Sequence, residues 1–429
     1  MSNQINSTLG DLVKAGGGII HTGPFGSQLH AEDYVAQGIP CIMPANMKDN
    51  RVDISNISFI SDEDAQRLSK YLVKEGDIVY SRRGNVTLKA LIRKNEVGYF
   101  CGTGCLLLRP GKLLDSDYLT YYLSTPKIQS WIISQAIGAT MPNLNTGILA
   151  SIPFSGPKKA IQEKISSVLK AIDDKLELNN RINAELETMA KTLYDYWFVQ
   201  FDFPDADGKP YKTSGGKMVY NARLKREIPE GWNDSLLGEF IELERGVTYS
   251  KEDVKIQDTK NKIGVLRATN VTGNTVDIDD LVFIPSCKAS TSQMLRKFDV
   301  LIVMSSGSKE HIGKNGVYYF EKPNAFGAFC SKITPVNKFR YFINTFLQSE
   351  WFKSYIKNQC MGTNINNLTN KHITKCEIIC PASDVAALFE NKMMPIYSKL
   401  ASNTQENNLL TKLREWLLPL LMNGQVTVK

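Results

Sequence analysis

The sequence is poor in the features that mark membrane-embedded, exported or disulfide-bonded proteins. The longest apolar run, Trp416 to Met422, contains Pro419 and falls well short of the roughly 18–20 residues that a membrane-spanning helix needs. The N-terminal segment has neither a basic start nor an apolar core, so nothing in it suggests export. Eight cysteines scattered over 429 residues are typical of buried thiols in a reducing compartment. We therefore expect a cytoplasmic protein with no membrane partner.

Motifs for nucleotide binding and catalysis are also missing. No Gly-Lys pair is preceded by the upstream glycine of a phosphate-binding P-loop, and Gly102-Thr103-Gly104 lacks the third glycine of a dinucleotide site. Neither Asn-Pro-Pro-aromatic nor Asp-Pro-Pro-Tyr, the motifs of amino-methyltransferases, occurs. The four histidines are too scattered to form a catalytic triad. The sequence therefore predicts no active site.

The composition is that of a globular protein with a mild excess of basic residues. The chain has 51 Lys+Arg against 44 Asp+Glu, a net charge of +7, and 42% hydrophobic residues. This length allows two or three domains with full-sized cores. The positive charge permits a nucleic-acid partner without requiring one.

The chain contains an internal repeat. Residues 39–61 align with residues 263–285 at an offset of 224, and eight of the 23 positions are identical, including Asn46 and Asn270. The same offset aligns residues 122–144 with 346–368, and it slips to 222 where Asp77 faces Asp299. Each copy begins with about 150 residues of short strand-like runs and turns, and it ends in a long helical stretch. The chain is therefore a duplication.

The two long helices carry a heptad pattern. In residues 158–198 and 384–422, apolar residues alternate by four and three, with polar interruptions at Lys175 and Asn179 that recur at Lys399 and Asn403. These polar residues could be buried and fix the register of the two helices. Alternatively, the middle of the coiled coil could be more hydrated, with Leu176 and Leu400 forming the core there instead. Pro395 should kink or locally unwind the second helix. We expect the helices to pair as an antiparallel intramolecular coiled coil, a rod of roughly 60 Å for 40 residues.

His372, Cys376 and Cys380 are residue types that bind zinc, and their spacing suggests a possible zinc site. The matching positions of the first copy carry Ile148, Ile152 and Gly156, none of which binds metal. Buried thiols are the better interpretation, and no metal is predicted.

Two segments suggest a family. Residues 195–232 read DYWFVQFDFPDADGKPYKTSGGKMVYNARLKREIPEGW and residues 22–29 read TGPFGSQL. With the duplicated plan, they resemble the specificity (S) subunit of type I restriction-modification enzymes over essentially the whole chain. The resemblance implies an α+β fold with two similar α/β target recognition domains, related by a pseudo-two-fold axis and separated by the antiparallel helices. The implied domains are residues 1–157 and 233–383, the helices 158–200 and 384–429, and the linker 201–232.

The resemblance also implies function and partners. An S subunit is non-catalytic, reads a bipartite double-stranded DNA sequence and binds two methyltransferase (M) subunits, which restriction (R) subunits can join. S-adenosylmethionine would then be bound by M, and ATP and magnesium by R, with no cofactor on this chain. A fused nuclease–methyltransferase would need catalytic motifs that are missing. A coiled-coil scaffold would leave the paired, divergent domains unexplained.

Three places in each copy carry side chains suited to phosphates or base edges. They are a turn after a strand-like run, a polar loop, and the segment around the shared asparagine. Because Asn46 and Asn270 are identical in both copies, they could instead be structural. The predicted DNA contacts are Asn46, Lys48, Arg82, Arg83, Thr140, Asn143 and Asn145 in the first copy and Arg267, Asn270, Ser308, Lys309, Asn364, Asn366 and Asn367 in the second.

Overall fold

The computed structural model of the chain describes residues 4–138, 142–254, 261–308, 310–359 and 366–428. The chain divides into two compact units: residues 1–176 with 410–429 form unit 1, and residues 177–409 form unit 2. Each unit therefore combines one α/β domain with segments of both long helices.

Unit 1 is built from short strands and helices, followed by the first long helix. Its strands are β1 Gln4–Thr8, β2 Ile19–Thr22, β3 Tyr34–Val35, β4 Ile39–Ile42, β5 Met47–Lys48, β6 Arg51–Val52, β7 Ser58–Ile60, β8 Ile78–Ser81, β9 Lys89–Leu91, β10 Phe100–Cys101, β11 Cys105–Arg109 and β12 Pro153–Pro157. Its helices are α1 Leu9–Ala15, α2 Asp62–Arg67, α3 Ser116–Tyr122, α4 Pro126–Gln135, α5 Thr146–Ala150 and the start of α6 Lys159–Tyr194.

Unit 2 repeats this plan. Its strands are β13 Met218–Asn221, β14 Arg226–Pro229, β15 Asn233–Leu236, β16 Ile241–Arg245, β17 Lys262–Leu266, β18 Val271–Thr272, β19 Thr275–Val276, β20 Val282–Pro285, β21 Met294–Leu295, β22 Val300–Val303, β23 Ser305–Ser306, β24 Asn315–Val317, β25 Asn324–Phe326, β26 Cys330–Pro335, β27 Asn366–Asn367 and β28 Glu377–Cys380. Its helices are α7 Lys251–Val254, α8 Arg340–Gln348, α9 Glu350–Gln359, α10 Asn370–Thr374 and α11 Ser383–Met422, whose last turns belong to unit 1.

The sheets of the two units correspond strand by strand. The order β2-β11-β8-β9 in unit 1 returns as β16-β26-β22-β24 within the larger sheet of unit 2. A parallel pair, β4 with β10, returns as β17 with β25, and the antiparallel pair β1–β12 returns as β15–β28. Buried strand residues such as Tyr80, Leu106 and Ile302 form the cores beneath these sheets. The predicted duplication and α+β fold are therefore confirmed.

The segment interpreted as a linker is folded and belongs to unit 2. Its strands β13 and β14 form an antiparallel hairpin, and Phe203 stacks between Tyr211 and Trp232 with ring centroids 4.7 and 4.8 Å away. The Arg226 guanidinium lies 4.8 Å from the Phe201 ring. Phe201, Phe203 and Trp232 are therefore part of the unit 2 core, with Tyr211 packed against it.

Within unit 2, α6 and α11 run antiparallel and meet at a layer of asparagines. Asn179 Nδ2 donates to Asn407 Oδ1 at 2.9 Å, and Asn403 Nδ2 donates to Asn183 Oδ1 at 2.9 Å. Subtracting the 224-residue offset converts one hydrogen bond into the other, so the layer is two-fold symmetric in sequence. Asn179 and Asn403 are fully buried, as the heptad pattern predicts.

The prediction that Lys399 occupies this seam is wrong, whereas Lys175 is half-buried. Lys399 is exposed, and the neighbouring Leu400 is buried in its place. Met189 and Leu413, also assigned to the seam, are exposed. The helices bury other residues because each packs on an α/β domain as well as on its partner helix: Tyr397 of α11, for example, stacks on Tyr341 of α8 with ring centroids 4.7 Å apart.

The long helices end close to where the sequence predicts. A π-helical turn over Asp195–Val199 completes α6, and Gly424, with φ of 70°, follows the end of α11. The helix α11 continues through Pro395 without interruption, so the predicted local unwinding does not occur. Within the described ranges, no helix is long and apolar enough to cross a membrane.

Candidate nucleic-acid interface

In unit 1, the structure joins two of the predicted DNA-contacting segments. The turn that follows β8 (residues 82–85, the arginine turn) and the polar loop before α5 (residues 142–145, the asparagine loop) are linked through their backbones. Leu144 N donates to Arg82 O at 2.8 Å, and Gly84 N donates to Pro142 O at 3.1 Å. Arg83 and Asn143 form a β-bridge. Segments about 60 residues apart in sequence therefore form one surface.

The arginine turn presents its two guanidinium groups differently. Arg83 is exposed, whereas Arg82 is half-buried, with its guanidinium 5.7 Å from the ring of Phe25. Arg82 Nε is buried without a hydrogen-bond partner among the described residues. Arg82 is thus held against an aromatic ring.

The asparagine loop is held by hydrogen bonds of the Asn145 side chain and of the Asn143 backbone. Asn145 Oδ1 accepts from Ile148 N at 2.8 Å and caps α5, and its side chain is exposed. The backbone of Asn143 pairs with that of Ile137 in both directions, at 2.9 and 3.1 Å. Asn143 Oδ1 is buried and has no partner in the described part of the chain. Thr140 lies outside the described residues.

Unit 2 forms the same junction with different side chains. Leu368 N donates to Met304 O at 2.7 Å, and β23 pairs with β27 through Ser305 and Asn367. The Ser305 hydroxyl donates to Asn367 Oδ1 at 2.5 Å, and Ser308 Oγ accepts from Glu310 N at 3.3 Å. Asn366 contributes its backbone to β27, while Lys309 and Asn364 lie outside the described residues.

The junction corrects the alignment of the two turns. The 224-residue offset of the repeat pairs Arg82 with Ser306. The bonds to Leu144 and Leu368 show instead that Arg82 corresponds to Met304, an offset of 222. Met304 is buried, so unit 2 has no arginine at the position of Arg82. The chemistry of the two turns therefore differs more than the sequence alignment indicated.

The third predicted segment forms a self-contained turn in each unit. Asn46 Oδ1 accepts from Met43 N and its Nδ2 donates to Asp53 O, while Asn270 makes the same bonds with Arg267 N and Asp279 O. Both asparagines are buried, so their side-chain amides hold these turns together. This agrees with the structural role that their identity in both copies suggested. DNA contacts from these two residues stay a prediction.

The cations next to these turns are placed differently. Lys48 is exposed at the end of β5. The Arg267 guanidinium donates to the Asp280 carboxylate at 2.8 Å, so part of its charge is already balanced within the chain.

An aspartate anchors the strand that leads into each turn. Asp77, directly before β8, accepts two hydrogen bonds from Arg109 at 2.7 and 2.6 Å, and this bond raises the pKa of Arg109. Asp299, directly before β22, instead accepts from the Thr334 hydroxyl at 2.9 Å. Burial raises the pKa of Asp299, although the Arg296 amide and Thr334 hydroxyl oppose the shift. The aspartate at this position is thus hydrogen-bonded to a guanidinium group in unit 1 and to a hydroxyl group in unit 2.

Sequence reasoning missed the aromatic and basic residues at this surface. In unit 2 a cleft opens beside the junction, lined by Arg245, Met304, Ser305, Ala328, Phe329, Ser331, Asn367, Leu368, Thr369 and Asn370. Phe329 and, in unit 1, Phe25 are among the most exposed large apolar side chains of the described residues. A hydrophobic residue in a single sequence is expected to be buried, so only the structure identifies them.

Known proteins share this organisation. A model of the type I restriction modification DNA specificity domain matches the chain twice, at residues 4–188 and 229–412. The MjaIX specificity subunit of Methanocaldococcus jannaschii is 25% identical over 408 residues, covering 93% of this chain and 89% of that protein. The HindI specificity subunit of Haemophilus influenzae is 24% identical over 454 residues, covering 89% and 92%.

A solved structure supports the fold. The S subunit of a type I restriction-modification system from M. genitalium matches with a TM-score of 0.60 at 16% identity, covering 98% of this chain and 96% of that one. Because the family model matches both halves of the duplication, the chain belongs to the specificity subunits of type I restriction-modification systems, whose repeated domain recognises DNA sequence.

Proposed function

We propose that the chain reads a bipartite DNA sequence, with one half-site for the junction of arginine turn and asparagine loop in unit 1 and the other for the equivalent junction in unit 2. The observation that carries the proposal is that the two junctions share their backbone hydrogen bonds and differ in side chains. Leu144 and Leu368 make equivalent backbone hydrogen bonds, while the position that Arg82 occupies in unit 1 is occupied by Met304 in unit 2. A shared scaffold with different polar groups suits two different half-sites, because base identity is read from donors and acceptors at the groove edge.

We infer that the methyltransferase subunits dock on the long helices. Met189 of unit 2 and Leu413 of unit 1 are equivalent across the repeat, and their side chains are 57% and 42% exposed. Trp416, one turn beyond Leu413, is also exposed. Exposed apolar side chains at matching positions of a two-fold repeat suit two copies of the same partner.

The chemistry would then reside on the partners. S-adenosylmethionine would be bound by the methyltransferase subunits, and ATP and magnesium by the restriction subunits that join them. This chain would supply sequence recognition and the spacing of the half-sites, with the helices setting the spacer. A scaffold protein without DNA function would not need polar junctions that differ between otherwise equivalent units.

Mapping methylated adenines tests the function directly. The chain is expressed with its methyltransferase subunit in a host that lacks adenine methylation, and modified sites are read by sequencing. We expect a split motif with a nonspecific spacer. A compact, ungapped motif would contradict the bipartite proposal, and a complex that neither methylates nor binds DNA in a salt-dependent manner would contradict DNA recognition.

Replacing Arg82 with alanine separates the two readers. We expect the motif to weaken or relax in one half only, because Arg82 belongs to unit 1 and its counterpart Met304 has no charge. Arg181→Ala, which removes an exposed arginine from helix α6, is the matched control. A change in both halves of the motif would show that the half-sites are not read independently.

A further inference from the structure

Each unit carries one exposed phenylalanine beside its DNA-reading junction. Phe25 in unit 1 is 54% exposed and Phe329 in unit 2 is 69% exposed. Single exposed apolar side chains are common on protein surfaces and need no special explanation. These two rings are distinguished by their position, because both lie at the same backbone point of the repeat.

Phe329 is fixed to the unit 2 junction by its backbone. Its carbonyl accepts hydrogen bonds from Met304 N at 2.8 Å and Ser305 N at 3.2 Å, the first residues after β22. The turn that carries it closes through Cys330 N donating to Gly327 O at 2.9 Å. Its ring lines the cleft that also contains Asn367. The exposed ring therefore projects from a hydrogen-bonded turn at the edge of this cleft.

The equivalent turn of unit 1 carries no side chain at this position. There Cys105 N donates to Gly102 O at 3.1 Å, and Gly104 O accepts from Arg82 N at 2.9 Å, so Gly104 corresponds to Phe329. Unit 1 supplies a ring from another segment instead. Phe25, in the loop after β2, lies beside Arg82 with its ring centroid 5.7 Å from the guanidinium carbon.

The two units thus place an exposed ring at the same junction from different chain positions. The equivalent glycines Gly23 and Gly246 set an offset of 223 at this loop, which pairs Phe25 with Thr248, whereas the 224-residue offset pairs it with Tyr249. With either offset Phe25 does not align with Phe329, so the two rings come from different positions of the repeat. Both rings have polar or cationic neighbours, Arg82 in unit 1 and Arg245 in the cleft of unit 2. A ring flanked by groups that contact phosphates or base edges suits the base stack of DNA, where apolar side chains insert at base steps.

Building on the proposed function, we propose that Phe25 and Phe329 are wedge residues, each of which stacks against a base step of the half-site read by its own unit. The rings would contribute stacking and local unstacking of DNA, and the surrounding polar groups would contribute hydrogen bonds. Since stacking neutralises no phosphate, the contribution of each ring to affinity is independent of salt.

The test uses the complex with its methyltransferase subunits and duplexes that carry its own methylated sequence. 2-Aminopurine replaces one base at a time through both half-sites, because its fluorescence rises when it is unstacked. Apart from the adenines that the methyltransferase subunits are expected to flip out of the stack, we expect the native complex to raise the fluorescence at one step in each half-site. Phe329→Ala should abolish only the rise in the unit 2 half-site, and Phe25→Ala only that in the other.

Affinity provides the second measurement. Each alanine variant should bind about tenfold or more weakly, with an unchanged dependence of log Kd on log salt, whereas loss of a phosphate contact would lower that slope by about one. Phe329→Trp should retain both the affinity and the fluorescence change, which shows that the ring rather than the fold is responsible. Tyr220→Ala removes an equally exposed ring, 69%, from the hairpin and should have no effect.

The outcomes separate this inference from the proposed function. If the native complex binds its target but the Phe25 and Phe329 alanine variants bind equally well, the wedge proposal is overturned and DNA recognition stands. A weaker affinity with a lower salt slope, or without any loss of fluorescence change, also overturns it. If the native complex binds no DNA, the proposed function itself fails.

Discussion

At the scale of single residues, Glu390 of α11 links the long helix to the domain of unit 2. Its carboxylate accepts from Tyr341 N at 2.9 Å and Phe342 N at 2.9 Å, and so caps the first turn of α8. Burial raises the pKa of Glu390 from 4.5 to about 7, against the opposing effect of those backbone hydrogen bonds. The folded protein therefore holds a proton on this group at pH values where the unfolded chain has lost it.

This shift predicts a pH-dependent stability. The free energy of unfolding of unit 2 should fall as pH rises from about 4.5 through 7, since the folded state binds the extra proton in that range. Glu390→Gln removes the titration and keeps an oxygen that accepts from both amides. Its thermal unfolding should be less pH-dependent than that of the native chain, by on the order of 2 kcal/mol between the ends of the range.

Exposed Glu242 provides the control for this experiment. Glu242→Gln should leave the pH profile as it is. If Glu390→Gln and the native chain lose stability in parallel between pH 4.5 and 8, the buried carboxyl is not the source of the dependence.

Two glycines in one loop of unit 1 should respond very differently to alanine. A Cβ at Gly23 would lie 2.1 Å from Gly102 O, and the same close approach returns at Gly246, where a Cβ would lie 2.2 Å from Gly327 O. At Gly26 nothing lies within 4 Å. We expect Gly23→Ala to destabilise unit 1 by about 1–3 kcal/mol or more, because a backbone carbonyl cannot move aside easily.

Gly26→Ala is the matched control, and chemical denaturation measures both. This variant should be neutral, or stabilise slightly by restricting the unfolded chain. Equal stability of the two variants would show that the strands β2 and β11 can separate at this point without cost.

At the scale of elements, the asparagine layer decides how α6 and α11 meet in unit 2. Asn179 Nδ2 donates to Glu406 Oε2 at 2.8 Å as well as to Asn407, and its Oδ1 is buried without a partner in the described residues. Asn403 repeats the bond to an asparagine and the buried Oδ1, while Ile182 stands at the counterpart of Glu406. A buried polar layer costs stability relative to apolar packing and favours the one alignment in which its donors meet acceptors.

Replacing either buried asparagine should therefore be costly. Asn179→Ala removes the donor to Asn407 and leaves a space at a fully buried position, so we expect a loss of about 1–3 kcal/mol in unfolding free energy. Asn403→Ala should lose a similar amount because it is the equivalent position. Asn391→Ala on the exposed face of α11 is the control. Losses no larger than that of the control would contradict a structural role for the layer.

The helices also show what could be predicted from sequence and why the rest could not. Helix bounds and the buried asparagines follow from periodicity and end signals that act locally. The buried face does not, because a heptad count assumes that the only partner is another helix. Tyr194, outside the predicted seam, packs on Phe342 and Phe389. Its burial depends on the position of the α/β domain, which the periodicity of a helix does not reveal.

At the scale of the whole molecule, sequence identity was enough to predict the duplication, while the junction proposed to read DNA could be predicted only in part. The arginine turn and asparagine loop were each predicted, but their contact depends on non-local strand order such as β11 lying between β2 and β8. The matching of Arg82 to Met304 depends on turn lengths that shift the register from 224 to 222. Phe25 and Phe329 were missed because exposure is a property of the assembled surface.

The repeat makes a quantitative prediction about assembly. If Met189 and Leu413 each support one methyltransferase subunit, Met189→Glu and Leu413→Glu should each reduce the number of bound subunits from two to one, and the double variant should bind none. A carboxylate placed on an apolar contact must be desolvated on binding, which disfavours the complex. Native mass spectrometry of the co-expressed complex counts the subunits.

Leu388 supplies the control, since it is exposed on α11 but its counterpart in the first copy is Lys164, so the repeat offers no matched apolar pair there. Leu388→Glu should leave two subunits bound. A single variant that loses both subunits, or a double variant that keeps both, would show that docking does not follow the two-fold repeat. Loss of one subunit at a time would tie each copy of the duplicated chain to one methyltransferase, because each position lies in a different copy.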